Sequence, residues 1–218
     1  MTTEICQVWP EKSAPLDNAA LIERYWRDKP GIRANFVASA DGAVTVDGAS
    51  TGLSGPADKR VFGILRMLCD AVLVGAATLR ADNYRPVVLS PERRAWRLER
   101  GLTEYPHLLV VGRGSDLAAH PAVARAPTLA RIIALDDVAD LTDRQVLCEG
   151  GPSLFGELLA ADLVDELCLT VSPLLAGSGP GRIAAGPPLP APRRLTLRHA
   201  LSAEGMLLLR YARAPAVS

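Results

Sequence analysis

Apolar residues along the chain fall into two patterns that alternate. The first is the short, nearly unbroken run: IRANFVAS from Ile32, DAVLVGAATLR from Asp70, HLLVVG from His107, a brief one at Arg131 to Ala134, RQVLCEG from Arg144 and DELCLTVSPLL from Asp165. Runs of this length, bounded by Gly, Pro or Asp and lacking polar alternation, read as strands covered on both faces. The second pattern has helical spacing. Val61, Ile64, Leu65 and Leu68 recur on one face, with Pro56 and Asp58 as start signals, and PSLFGELLAADL from Pro152 repeats the arrangement.

Strands that alternate with helices predict an α/β domain with a largely parallel central sheet. The tail differs. RRLTLRHA and MLLLRYAR, separated by LSAEG, read as an antiparallel hairpin closing one side of that sheet. Residues 1–30 read as an arm packed on a domain spanning 31–218, with a short helix near Ala19 to Arg27 that carries Leu21, Ile22, Tyr25 and Trp26. Between the elements lie a loop rich in arginine (Arg85, Arg93, Arg94, Arg97, Arg100), a connection through Pro121 and Pro127, and the surface connection GSGPGRIAAGPPLPAP.

Composition narrows the function classes. A chain of 218 residues with 49% hydrophobic content can bury one substantial core, so a single domain is expected. Its 24 basic and 24 acidic residues cancel and are interspersed, which excludes the basic footprint of a nucleic-acid binder. Any charged ligand must be met locally. The first residues carry Glu4, Glu11, Lys12 and Asp17, and no window approaches about eighteen uncharged apolar residues, so neither export nor membrane insertion is expected. Cys6, Cys69, Cys148 and Cys168 are far apart and read as free thiols of a cytoplasmic protein. His107, His120 and His199 are equally scattered, and no metal site is expected.

Three strand ends run into glycine and small or polar residues. In LCEGGPSLFGELL, Pro152 suits the first position of a helix, which leaves the amides of Gly151, Ser153 and Leu154 free to meet an anion at the positive end of the helix dipole. A strain-relieving tight turn explains the same glycines equally well. The spacing is not GxGxxG, so the usual dinucleotide fingerprint is absent. The run ending at Gly75 delivers Thr78, Arg80 and Asp82 into a loop, and the one ending at Gly112 leads to Arg113, Gly114 and Ser115. Ligands of open α/β sheets gather at such carboxyl ends, so the three together suggest a crevice. The loop SADGAVTVDGASTGLSG adds Asp41 and Asp47, each followed by glycine, which suits either acid–base chemistry or a turn. No GxSxG is present, and a hydrolase is disfavoured.

NFVASADGAVTVDGASTGLSGPADKRVFGILR, DAVLVGAATLRAD and CEGGPSLFGELLAADLVDELCLTVSPLLAG, in this order, resemble the reductase domain of bifunctional riboflavin-biosynthesis deaminase-reductases and its stand-alone pyrimidine reductase relatives. The likeness spans about Arg33 to Gly181. It implies a three-layer fold similar to dihydrofolate reductase, with NADPH as hydride donor. The implied substrate is 5-amino-6-ribosylamino-uracil 5′-phosphate, whose ribosyl group becomes ribityl. The HxE and PCxxC signature of the zinc deaminase half is not found, so reduction alone is expected.

Carried over by position, the resemblance places the cofactor diphosphate at Gly150, Gly151, Pro152, Ser153, Leu154 and Phe155, with Thr78 and Asp82 also touching cofactor. Ala38, Gly52 and Gly75 complete that set, and the position near the extra phosphate of NADPH falls on Arg113 or Ser115, of which the arginine would favour NADPH over NADH by pairing with it. Substrate falls to Ser50, Arg66, Arg85 and Glu149, with Arg66 on the phosphate and Glu149 accepting from the pyrimidine or ribityl group. Two departures stand out: ADNYRPVVLS replaces the family's DDP and LTxR, and Thr51 and Gly52 replace a loop tryptophan. The implied chemistry is hydride transfer to C1′ of the ring-opened imine, with Asp41 assisting the proton directly or through water. Reduction of a pterin or dihydrofolate-like heterocycle, and a non-catalytic nucleotide-binding regulator, are the competing readings. The resemblance further implies a homodimer.

Overall fold

The computed structural model describes residues 3–81, 84, 86–141, 143–179 and 181–214. In chain order the elements are β1 (Cys6–Trp9), α1 (Asn18–Tyr25), β2 (Gly31–Ser39), α2 (Pro56–Leu68), β3 (Ala71–Gly75), α3 (Ala76–Ala81), α4 (Pro91–Leu98), β4 (His107–Val111), α5 (Ser115–Ala119), α6 (Pro121–Ala124), β5 (Ala130–Ile133), β6 (Gln145–Cys148), α7 (Pro152–Ala160), β7 (Val164–Ser172), β8 (Leu195–Ala203) and β9 (Met206–Arg213).

Among the described residues the strands form one sheet of nine in the order β1-β8-β9-β7-β2-β6-β3-β4-β5. From β7 through β5 every neighbouring pair is parallel, while β7–β9, β9–β8 and β8–β1 are antiparallel. The parallel strands read as continuous apolar runs because both faces are covered: Val72 and Val74 enter one core cluster with α2, and Leu73 enters another with α7. Gly205, at φ 78°, turns the hairpin between β8 and β9.

Four features differ from the expectation raised by the sequence. The hairpin does not close the sheet, because Cys6–Trp9 pairs outside it with β8 and forms the edge strand. A run of four residues carries too little periodicity to announce a strand. Secondly, the apolar run after Asp70 is a strand only to Gly75 and continues as α3. Thirdly, the Pro121 connection contains α5 and α6. Lastly, the arginine-rich loop contains α4, capped by the Ser90 hydroxyl accepting from Arg93 N with Pro91 in the first turn. Arg97 of this helix is fully buried. Its Nη1 donates to the carbonyls of Met67 (2.7 Å) and Cys69 (2.6 Å), helping to satisfy the end of α2.

The long connection before β8 folds back on α7. Ala185 N–H donates to Pro152 O at 3.0 Å, and a Cβ added at Gly156 would sit 1.9 Å from Ala185 O. Only glycine admits that contact.

Candidate active site

The carboxyl ends of β6 and β3 are tied together by backbone. Glu149 N–H donates to Leu73 O (3.0 Å), and Gly75 N–H donates to Gly150 O (2.8 Å). Gly150 has a φ of 99°, and a Cβ there would lie 3.0 Å from the ring of Phe36. The Gly150–Gly151 peptide is cis. Side chains alternate across a strand, so this turn sorts its neighbours onto opposite faces of the sheet.

On the α7 face, the helix begins at Pro152 with no side chain capping its amino end. Pro152 has no N–H to satisfy, and among the described residues the amides of Ser153 and Leu154 make no backbone hydrogen bond outside the helix. A Cβ added at Gly151 would stand 2.8 Å from Thr78 Oγ1, so a narrow cradle lies between the two turns. Phe155 packs on Phe36 with ring centroids 4.8 Å apart, and buried Ala38 follows two residues later on the same face of β2. Gly112 follows β4 nearby: a Cβ there would meet Ala76 at 2.7 Å. Arg113 beyond it is exposed.

These residues fit a nucleotide diphosphate. Uncapped helix amides attract oxygen anions, and the glycines leave room for them to approach the backbone. The structure brings together Ala38, Gly75, Thr78, Gly150, Gly151, Pro152, Ser153, Leu154 and Phe155. Asp82 and Arg85 lie outside the described residues.

On the α2 face stands a polar cluster. Arg66, in the last turn of α2, donates from Nε to Glu149 Oε1 and from Nη2 to Glu149 Oε2, both at 2.7 Å. The Tyr84 hydroxyl donates to the same Oε2 and accepts from Arg66 Nη2 at 3.0 Å. The guanidinium also lies over the Phe62 ring, 4.1 Å from its centroid. The Glu149 side chain is 4% exposed and that of Arg66 24%. Burial works against the charge on Arg66, but the hydrogen bonds and charge of Glu149 outweigh it and raise its pKa. Burial and then the Glu149 charge push the Tyr84 phenol up, so it stays protonated. Two residues that the sequence assigned to separate substrate contacts are thus each other's partners. Tyr84 was missed, because it falls in the stretch that departs from the family pattern.

At the end of β2, Asp41 accepts from the Ser39 hydroxyl and from the amides of Ala176 (3.1 Å) and Gly177 (2.8 Å). The Ser39 bond, then the amides, hold its carboxyl down to about 2. A carboxylate engaged by three donors in this way suits orienting a water better than giving a proton itself. Asp47 (φ 51°) and Gly48 (φ 78°) occupy the middle of a tight turn closed by Val46 and Ala49. This is the turn reading of that aspartate. Ser50 and Gly52 lie exposed in the 3-10 turn that follows.

A mostly parallel sheet whose glycine-rich carboxyl ends leave uncapped helix amides on one face and gather an Arg–Glu–Tyr cluster on the other places the protein in the open α/β class, whose ligands gather at such ends. The chain belongs to the RibD C-terminal domain family, whose model matches residues 30–208. It is 30% identical over 154 residues to the riboflavin biosynthesis protein RibD of Mycobacterium tuberculosis, covering 68% of this chain and 43% of that protein. The chain therefore spans less than half the length of that relative. It is 25% identical over 181 residues to the 2,5-diamino-6-ribosylamino-4(3H)-pyrimidinone 5′-phosphate reductase of Archaeoglobus fulgidus, covering 68% of this chain and 83% of that protein.

Among solved structures, a pyrimidine reductase-like protein from Corynebacterium diphtheriae superposes with a TM-score of 0.68 at 24% identity, over 85% of this chain and 92% of that one. The same fold extends to a dihydrofolate reductase from Enterococcus faecalis complexed with NADP(H), with a TM-score of 0.55 at 15% identity over 85% and 97% of the chains. The fold is that of dihydrofolate reductase, as the sequence motifs implied.

Proposed function

We propose that the chain is an NADPH-dependent reductase of 5-amino-6-ribosylamino-uracil 5′-phosphate, converting its ribosyl group to ribityl in riboflavin biosynthesis. The observation that carries this reading is the sorting at the end of β6. Glu149 turns into a polar cluster on the α2 face, while Gly150, Gly151 and the uncapped start of α7 open an anion cradle on the other. Cofactor and substrate regions then adjoin across a single turn.

When bound, NADPH supplies the hydride that reaches C1′ of the ring-opened sugar imine. The amides of Ser153 and Leu154 hold the diphosphate, and Gly75, Gly151 and Thr78 shape the floor of its cradle. Exposed Arg113, at the end of β4, pairs with the 2′-phosphate. On the substrate side, Arg66 spends Nε and Nη2 on Glu149 and keeps Nη1 for a phosphate oxygen. Glu149 acts chiefly by fixing that fork, since its shielded carboxylate meets the pyrimidine only if Tyr84 moves aside. Asp41, held ionised, serves the proton only by orienting water. A homodimer belongs to the same reading.

The archaeal relative is named for the 2,5-diamino-pyrimidinone, so the base is the finer question. The shared fold of dihydrofolate reductase supports one competitor, reduction of dihydrofolate. Steady-state NADPH oxidation with the aminouracil, the diaminopyrimidinone and dihydrofolate separates these readings. Turnover of the aminouracil is expected. Turnover of dihydrofolate alone, or saturable NADPH binding with no oxidation by any of the three, overturns the proposal in favour of the folate reading or a non-catalytic regulator.

A further inference from the structure

The far end of the sheet, where β2 and β6 begin, holds a charge cluster that the reductase chemistry does not use. Arg33 of β2 is 5% exposed and Glu166 of β7 is 7% exposed. Arg33 Nε donates to Glu166 Oε2 at 2.8 Å. Arg210 of β9 donates from Nη2 to Oε1 at 2.6 Å, and Arg27 Nη1 stands 4.0 Å from Oε2. Three guanidiniums thus converge on one carboxylate. Asp165 lies close by, its carboxylate accepting from Ile32 N at 2.8 Å. Even with Asp165 counted in full, one positive charge is left over.

The surplus faces a small cavity of about 20 Å³, walled by Tyr25, Arg27, Arg33, Cys69, Gln145 and Leu147. Arg33 Nη2 lies 2.7 Å from Glu166 Oε2, yet it is fully buried with no N–H aligned on an acceptor. Among the described residues Arg27 spends Nε and Nη2 on Gln145 and the Gly31 carbonyl, and Nη1 makes no hydrogen bond. Tyr25, 1% exposed, adds its ring to the wall. The cavity therefore offers donors from several sides and carries net positive charge.

We propose that this cavity binds one small monovalent anion of the chloride class, seated between the guanidiniums of Arg27 and Arg33. Its size decides the class. A cavity needs at least roughly 10–15 Å³ to hold a water, so this one takes a single occupant of about that size and excludes phosphate, sulfate and nucleotides. Its charge decides between water and anion. A water could bond Arg33 Nη2 but would leave the surplus positive charge of the three-arginine cluster without a counter-ion, which is the costlier defect. The low local polarity already weighs on the neighbours: burial, then the Arg33 charge, pulls Arg27 down to about 10. An anion here would brace β2, β7 and the start of β6 from the end opposite the cofactor turns.

Crystals soaked in bromide test this directly. An anomalous peak between Arg27 and Arg33 is expected, and a cavity without one overturns the proposal. In solution, replacing gluconate by saturating chloride at constant ionic strength should raise the melting temperature by about 2–4 °C. Arg33→Met should abolish both effects. Should that variant fail to fold, Arg27→Met, at the partly exposed rim, is expected to remove the chloride-dependent shift while leaving NADPH oxidation unchanged. Equal melting temperatures of the unaltered protein in the two salts count against the anion.

Discussion

Arg66 and Glu149 meet through two parallel hydrogen bonds of 2.7 Å, linking the last turn of α2 to the residue just ahead of the glycine pair. A fork-on-carboxylate pair of this kind is directional as well as strong, so it sets where the remaining guanidinium edge points. Glu149→Gln should lower kcat/KM for the ribosylaminopyrimidine phosphate by about 100-fold, or about 3 kcal/mol, as expected when one member of a buried pair is neutralised. The Kd for NADPH should stay within about twofold. Arg66→Lys should behave similarly, because an ammonium cannot hold Glu149 in a fork and reach a phosphate together. Equal losses of NADPH affinity in either variant would move the pair to the cofactor side.

Gly151 tests the cradle. Its φ of −77° suits any residue, so a methyl group there is resisted by space and not by the backbone. With Thr78 Oγ1 only 2.8 Å from the added Cβ, Gly151→Ala should narrow the cleft. NADPH Kd is expected to rise about tenfold, read by fluorescence titration, with little change in melting temperature. Unchanged affinity would place the diphosphate elsewhere.

Arg113 tests cofactor choice. The side chain is exposed beyond the end of β4, so its removal should disturb little of the fold. Arg113→Ala should raise KM for NADPH about tenfold and leave KM for NADH unchanged, since only the former carries the extra phosphate. Parallel changes in both would sink the assignment.

Much of this geometry was legible in the chain because strand, glycine and helix start follow one another in order. Gly75 and Gly150 mark the ends of adjacent parallel strands, and Pro152 marks the start of α7. What was not legible depends on contacts between distant residues. Nothing local to Arg66 announces a carboxylate 83 positions away, nor does Tyr84 announce the same oxygen. Arg97 was read only as part of an arginine-rich loop, and the carbonyl groups at the end of α2 that explain its burial lie about thirty positions earlier in the chain. Asp41 read as a possible acid because its partners, Ala176 and Gly177, arrive from another loop. The α4 helix was the avoidable miss: Ser90, Pro91 and Glu92 spell out its start.

His199 gives the fold a dependence on pH. It is 5% exposed on β8, packed edge-on against Tyr25 at 4.8 Å, with Nε2 buried and unbonded among the described residues. Burial, followed by the charges of Arg210, Arg24 and Arg33, pushes it down to about 4 from an ordinary 6.5. The unfolded chain then takes up a proton near 6.5 that the native protein refuses until about 4, so stability is full above that window and falls as pH drops through it. The loss should approach about 3 kcal/mol, measured by urea unfolding at a series of pH values. His199→Gln should flatten the profile over the same window, and an unaltered slope would assign it to other groups.

The proposed reaction passes a hydride from NADPH to C1′ of a ribosylaminopyrimidine phosphate held beside Arg66. Incubating the protein with that substrate and NADPH deuterated at the transferring position, then locating the label in the product by mass spectrometry and NMR, tests it most directly. One deuteron is expected at C1′ of the new ribityl chain. Recovery of unlabelled product, or of unreacted substrate while dihydrofolate is reduced, would contradict it.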